Sequence, residues 1–281
     1  CEEPDHSSSE ESVDSFLKRN GSRAITGIDT RELTLRIRNR GTVKSAIAVG
    51  DYDQREILNR AKSQPPISDR DLIPQVSPQE ENIIAGSGPR LAVIDTGMKK
   101  SILDNLRVRG FELVLLPHDT NPETVKRYDP DGIFFPNGPG DPKRATGPRE
   151  IARSFFGDLP MFGICFGTQI LSLALGGETY KLKFGHRGAN QPVKNRSSGV
   201  VNITAQNHGF AVESDSLSGT GLKIPEINAI DGTVEAIEDE KNCIFAVQYH
   251  PEASPGPKDN EKSFFNRVQR IMGRGDDAEK N

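Results

Sequence analysis

Cysteine is scarce in this 281-residue chain; Cys1, Cys165 and Cys243 are the three, far apart in sequence. That excludes a disulfide-stapled scaffold, and no pair has the spacing of a zinc site. An excess of basic charge is also missing. Lys and Arg number 36 against 40 Asp and Glu, a net charge of −4. Nucleic-acid and anionic-membrane binders need a basic face, so neither partner is expected. No signal peptide and no Walker-type phosphate loop occur, and the chain opens on Cys1 rather than Met, as a fragment or a processed form would.

Long apolar runs are nearly absent too. The exception is Leu159–Gly177, 19 residues without a charge. It holds Pro160, four glycines, Thr168, Gln169 and Ser172. A buried strand, a sharp turn and a buried helix fit that composition better than a membrane span.

What is present divides the chain. Residues 1–15 are Ser- and Glu-rich and read as a disordered end. Residues 16–62 read as a small ordered unit. Asp29-Thr30-Arg31-Glu32 has capping-box spacing, Leu33 and Ile37 are expected to face inward, and Gly41 stops the helix. Val43–Val49 reads as a strand and Tyr52–Ala61 as a short helix. Residues 63–89 carry Pro65, Pro66, Pro74, Pro78, Gly86, Gly88 and Pro89, a linker composition, although Asn82–Ala85 is strand-like. From residue 90 to 272 short apolar strands alternate with helices. Leu91–Ile94, Glu112–Leu116, Gly132–Phe135 and Met161–Ile164 predict an α/β fold, an open and mainly parallel sheet covered by helices on both faces. Val200–Thr204, Gly209–Val212, Val234–Ile237 and Ile244–Gln248 lack intervening helices and predict an antiparallel extension. Lys262–Met272 reads as a closing amphipathic helix, and 273–281 as a loose tail.

Three strand ends carry residues suited to chemistry. Gly163-Ile164-Cys165-Phe166-Gly167 places a thiol on a tight strand-to-helix turn at the carboxyl edge of the sheet. A helix N-terminus favours thiolate. A lone Cys is more often a small buried hydrophobe, so the pentapeptide alone does not decide. A Cys nucleophile needs a base and a group to orient it. Tyr249-His250-Pro251-Glu252 follows another strand, and positions two apart on an extended segment point the same way, so Glu252 can meet the His250 ring. Asn137-Gly138-Pro139-Gly140-Asp141-Pro142 forms a fixed turn past a third strand. Its Gly138 N–H, with that of Phe166, is a candidate oxyanion donor.

These motifs, in this order, resemble the class I, triad-type glutamine amidotransferases. Longer strings are similar to the small, glutamine-hydrolysing subunit of carbamoyl-phosphate synthetase. They are Lys183–Gly188, Ala205–Phe210 and Gln248–Pro257, with Ile28–Leu33 resembling that subunit's amino-terminal domain. The resemblance covers about residues 12–272. It implies Cys165 as nucleophile, His250 as base, Glu252 as its orienting group, Gly138 and Phe166 as oxyanion donors, and Gly140, Gln169, Asn207, Gly209 and Phe210 as the glutamine site. No metal and no cofactor is implied on this chain, with ATP and magnesium on a large synthetase subunit that receives the ammonia. The cytoplasm is the implied location, with an organelle left open.

Three features depart from the family pattern. Phe166 stands where Leu is usual, which changes a pocket wall but not a backbone donor. Thr168 stands where His is frequent, which puts a supporting contact in doubt. The family's amino-terminal domain is longer than residues 1–85, so a truncated chain, or a pocket completed by another chain, is expected. His186 and His208 read as structural or interface residues. The rival readings are a free-standing γ-glutamyl hydrolase and a non-catalytic interaction subunit.

Overall fold

The computed structural model describes residues 3–4, 9–253 and 256–277, which fall into two compact units, 1–66 and 67–281. The first unit has three helices, α1 (Val13–Arg19), α2 (Thr30–Arg40) and α3 (Gln54–Ser63). Ser12 caps α1, so part of the segment read as a disordered end is helical; residues 1, 2 and 5–8 lie outside the described residues. Asp29 caps α2 by accepting from the Glu32 N–H at 2.8 Å, while the Glu32 carboxylate takes Arg36 instead of closing the box. Gly41 ends the helix at φ 93°, a conformation that favours glycine. Leu35 and Ile37 are half-buried, but Leu33 is exposed, contrary to expectation. Residues 43–49 form no strand. A strand exists through a laddered neighbour, and among the described residues this segment has none.

The second unit begins earlier than the proline count suggests. Residues 67–89 are not a free linker. Ile73 is buried in the core, Ser77 Oγ donates to the Asp95 carbonyl at 2.6 Å, and β1 (Asn82–Ile84) joins the sheet. The prolines here shape two short 3₁₀ turns and leave the chain packed.

Among the described residues ten strands form one sheet. They are β1, β2 (Arg90–Asp95), β3 (Glu112–Pro117), β4 (Gly132–Phe135), β5 (Met161–Ile164), β6 (Thr179–Asn195), β7 (Val201–Val212), β8 (Lys223–Asn228), β9 (Val234–Asp239) and β10 (Ile244–Val247). The order is β1-β3-β2-β4-β5-β10-β9-β8-β6-β7. Strands β3, β2, β4, β5 and β10 are parallel; β9, β8, β6 and β7 extend the sheet antiparallel, and β1 is an antiparallel edge. Three strands depart from the sequence reading: β6 and β8 were not anticipated, and β7 was read as two. β6 is rich in Gly and charge and its ladder slips twice, so alternation is lost. Residues 201–212 are one strand, not two joined by a turn.

The helices of this unit are α4 (Lys100–Arg107), α5 (Pro122–Arg127), α6 (Thr146–Ser154), α7 (Phe166–Ala174) and α8 (Glu261–Asp277). Strand alternation sorts the core into two layers. Ala92, Ile94, Val114, Leu116, Ile133 and Phe135 pack with Ile151 of α6 and Ile170 and Leu171 of α7. Leu91, Val93, Leu113, Phe134 and Phe162 pack with Ile102 and Leu106 of α4 and Phe264, Phe265 and Val268 of α8. The last helix continues to Asp277, past the expected stop at Gly273; residues 278–281 lie outside the described residues. With buried strands wedged between the two layers, their carboxyl ends can open only at the sheet's rim, where ligand sites of such folds lie.

Candidate active site

Cys165 sits between β5 and α7 with φ 56° and ψ −98°, a strained conformation for a non-glycine residue. Three glycines make that turn possible. A Cβ on Gly167 would lie 1.9 Å from the Phe135 carbonyl oxygen, and one on Gly163 would lie 2.8 Å from the Gly167 carbonyl carbon. A Cβ on Gly138 would lie 2.8 Å from Phe166 Cδ1 and 2.9 Å from the Thr96 carbonyl oxygen. The two candidate oxyanion residues therefore touch. The Cys165 N–H donates to the Val247 carbonyl at 2.7 Å, tying the turn to β10.

From β10 the chain leads to the imidazole. The His250 N–H donates to the Ala205 carbonyl at 2.8 Å, bridging to β7. Pro251 and Glu252 turn rather than run extended, with the Ala253 N–H reaching back to the His250 carbonyl at 3.3 Å. The expected contact forms regardless. His250 Nδ1 lies 2.7 Å from Glu252 Oε1. A carboxylate there fixes the ring with its proton on Nδ1 and leaves Nε2 for the Cys165 sulfur, which is near enough to act on the ring's charge. Burial opposes charge on the ring, but the adjacent sulfur and Glu252 together raise its pKa to about 10. The ring is therefore held as an imidazolium at neutral pH. Burial pushes the Glu252 carboxyl upward; His250 and Lys99 outweigh it and hold the pKa below the usual value.

Lys99 was not singled out in the sequence. Its Nζ lies 2.7 Å from Glu252 Oε1, and its backbone N–H donates to Asn137 Oδ1 at 3.0 Å. Asn137 in turn donates to the Gly97 carbonyl and accepts, at its own carbonyl, from Thr96 Oγ1. The turn after β2 and the Asn137–Gly140 turn are thus locked together. Its one sequence signal was place: Lys99 follows a parallel strand at the same rim. Gly140 has φ +88° and faces the backbone of Arg70 and Cβ of Leu72, part of the segment read as linker.

Gln169, one turn into α7, donates to the Phe210 carbonyl at 2.8 Å and to Gln248 Oε1 at 2.9 Å. β7 is thereby fastened at Ala205 by His250 and at Phe210 by Gln169. Asn207 and Gly209 lie between the two anchors on one face of the strand. Asn207 is exposed; Phe210 is buried on the opposite face, so its carbonyl, not its ring, meets this machinery. Arg187, opposite Asn207 in the ladder, would have its Nη2 3.4 Å from a Cβ on Gly209. Thr168 is fully buried and donates to the Val247 carbonyl at 2.6 Å, a structural contact that supports the Cys165 turn.

Behind β7 lies a second polar cluster. His186, His208 and Glu235 are buried, with one ligand-type atom of each within 4.8 Å of the others. Gln206 sits among them, hydrogen-bonded to both rings and to Glu235.

A ten-stranded sheet with a thiol, an imidazole and a carboxylate at its parallel rim defines a class I glutamine amidotransferase. The family model for Glutamine amidotransferase class-I matches residues 92–269, and that for the Carbamoyl-phosphate synthase small chain, CPSase domain, matches residues 1–47. The carbamoyl phosphate synthase small chain of Methanosarcina mazei is 44% identical over 284 residues, covering 98% of this chain and 77% of that protein. The small chain of Methanopyrus kandleri is 46% identical, covering 93% and 73%. A solved structure described as a GMP synthase subunit from Thermoplasma acidophilum aligns with a TM-score of 0.58 at 18% identity, covering 69% of this chain and 98% of that one; it supports the fold alone. The chain belongs to the carbamoyl phosphate synthase small chain family. No helix among the described residues is long and apolar enough to cross a membrane.

Proposed function

We propose that the chain hydrolyses L-glutamine to glutamate and ammonia through a thioester on Cys165, and supplies the ammonia for carbamoyl phosphate synthesis. The observation that carries this is the His250 ring held by Glu252 at 2.7 Å and acted on by the Cys165 sulfur. Cys165 thiolate attacks the side-chain carboxamide carbon. The developing oxyanion is taken by the N–H groups of Gly138 and Phe166, where removing one donor typically costs about 3–4 kcal/mol of transition-state stabilisation. His250 gives its proton to the leaving nitrogen as the C–N bond breaks, which yields ammonia and the γ-glutamyl thioester. The ring, now neutral, takes a proton from water; hydroxide adds to the thioester and expels the thiolate. Glu252 keeps the ring oriented throughout. Gly140, Gln169, Asn207, Gly209 and the Phe210 backbone hold the amino-acid end of glutamine.

The relatives are named as small chains, which supports a large-subunit partner that consumes the ammonia; in this proposal ATP and magnesium bind on that partner and the complex is cytoplasmic. Glutaminase activity of Cys165→Ser, with and without a large subunit, tests the reading. We expect loss of at least ~10³-fold in kcat, as for other nucleophile deletions, and a trappable thioester only in the parent. A chain whose hydrolysis survives Cys165→Ser overturns it.

A further inference from the structure

The cluster behind β7 has a hydrogen-bond conflict that identifies the state of Glu235. His186 Nε2 lies 2.8 Å from Asp231 Oδ2, and His208 Nδ1 lies 2.8 Å from the Phe210 carbonyl oxygen. Both partners only accept, so both ring protons point outward. The inward nitrogen of a neutral ring, His186 Nδ1 or His208 Nε2, then carries a lone pair. The two nitrogens face the same end of the Gln206 amide, at 3.1 and 3.0 Å. With the amide oxygen at that end, three acceptors meet and no proton lies between them. Protonating His208 is not open, since burial above all lowers its pKa to about 3, and a proton on His186 Nδ1 would still leave the His208 Nε2 lone pair facing the amide oxygen at 3.0 Å.

The two ends of an amide are alike in shape, and its hydrogen-bond network decides between them. Turned by half a rotation, Gln206 presents two N–H donors to two imidazole acceptors. Its oxygen then faces Glu235 Oε1 at 2.8 Å and Thr204 Oγ1 at 3.1 Å. An amide oxygen and a carboxylate would repel; an amide oxygen and a carboxylic acid hydrogen-bond. Asn228 Nδ2 still donates to Glu235 Oε1 at 3.0 Å. The other oxygen, Oε2, is buried without a partner, which costs far less for a neutral carbonyl than for half of a carboxylate. Only the Thr204 hydroxyl, already donating to the Gln191 carbonyl at 2.9 Å, must share one proton between two acceptors.

We propose that Glu235 is a neutral carboxylic acid donating to a turned Gln206 amide, and that this buried network is a positioning device for the Asn207–Gly209 face that receives glutamine. It rests on the glutamine-site reading given above. Gln206 and His208 alternate with Asn207 and Gly209 along β7, so what fixes one face fixes the other. The His208 proton shares the Phe210 carbonyl with Gln169 of the nucleophile helix. The groups facing Glu235 favour the neutral form. Burial comes first, then the Asp231 and Glu226 carboxylates; together they outweigh the Asn228 and Gln206 hydrogen bonds and raise its pKa to about 8. Tyr249 feels the Glu235 charge from the segment after β10, and Arg187 and His250 act on His208. A metal ion on the same three ligands would first have to displace the amide that bonds all of them.

The test uses the full chain. Glu235→Gln keeps a donor toward the Gln206 oxygen without a charge and gives up only the acceptance from Asn228. It should hold KM for glutamine within about twofold at pH 7, whereas Glu235→Leu should raise KM about tenfold with kcat little changed. Above pH 8 the parent's KM should climb beyond that of Glu235→Gln, because only the parent can ionise there. In infrared difference spectra, a carboxylic-acid carbonyl band should be present at pH 7, absent in Glu235→Gln, and lost in the parent as pH passes about 8. No such band, or a Glu235→Gln as impaired as Glu235→Leu, overturns the proposal, as does stoichiometric Zn²⁺ binding that His208→Ala abolishes. Asn207→Ala separates the two readings. If it leaves KM unchanged, the glutamine-site reading and the positioning role both fall, while the band still decides the protonation of Glu235.

Discussion

Lys99 Nζ lies 2.7 Å from Glu252 Oε1, the same oxygen that accepts from His250 Nδ1. One carboxylate therefore answers two cations, and its second oxygen is buried without a hydrogen-bond partner. Burying a carboxylate is costly, and Lys99 offsets that cost before the ring is charged.

Removing that cation should be visible as a pH effect. Glu252 is held below its ordinary pKa, so its negative charge is lost only at low pH. Lys99→Met should raise that pKa, moving the acid limb of the kcat/KM profile for glutamine upward by about one unit. Lys99→Arg should restore most of the shift. A profile unchanged by Lys99→Met would show that the ion pair has no part in orienting His250.

His250 makes a second titration informative. Its ring is kept charged to about pH 10 by the neighbouring sulfur and by Glu252, against the effect of burial. Cys165→Ala removes the first of these supports and leaves burial in place. The ring resonances of His250, followed by NMR, should then titrate more than about one unit lower than in the parent. An equal titration point in both proteins would mean that the sulfur and the ring do not share a charge.

The sheet's parallel half and the triad were legible because each rests on a local pattern. Leu91–Ile94 and Met161–Ile164 are short apolar runs, and Cys165, His250 and Glu252 follow strand ends within a few residues. What was not legible depends on contacts remote in sequence. Lys99 and Glu252 are some 150 positions apart and meet only after β2 and β10 take their places in the sheet. Ile73 and Ser77 lie in a proline-rich stretch whose composition describes a linker, yet they pack because the Asp95 carbonyl and the His118 N–H need the Ser77 hydroxyl. Phe210 entered the glutamine site only through the resemblance, and alternation along β7 turns its ring to the face opposite Asn207 and Gly209. Asp29 was readable as a cap, but Glu32 had a nearer partner in Arg36.

Phe166 separates side chain from backbone at the oxyanion site. Its ring packs against Gly138 and is almost fully buried, while the oxyanion role we propose belongs to its N–H. Phe166→Leu keeps that N–H and removes part of the ring's volume. It should destabilise the chain by about 1 kcal/mol, read from urea unfolding, and change kcat for glutamine less than about threefold. A hundredfold loss of kcat would place the role in the ring.

Gly167 tests the turn itself, because two effects oppose there and their sizes decide the sign. Ala in a helix is favoured over Gly by about 0.5–1 kcal/mol. The new Cβ, however, would sit 1.9 Å from the Phe135 carbonyl oxygen and 2.7 Å from its carbon, both backbone atoms of a buried strand. Neither can yield without moving β4 or α7, and such overpacking costs about 1–3 kcal/mol or more. The clash wins. Gly167→Ala should lower Tm by about 4–8 °C, the shift expected for roughly 2 kcal/mol in a unit of this size. Gly273→Ala is the matched control: it lies in α8 with no atom near its Cβ, so helix propensity acts alone and Tm should hold or rise. Since α7 begins one residue after Cys165, the shift forced by Gly167→Ala should also move the sulfur off the His250 ring. Its kcat should therefore fall further than that of Phe166→Leu although neither variant removes a catalytic group. Equal kcat in the two variants would mean that the close approach of Gly167 to β4 serves packing alone.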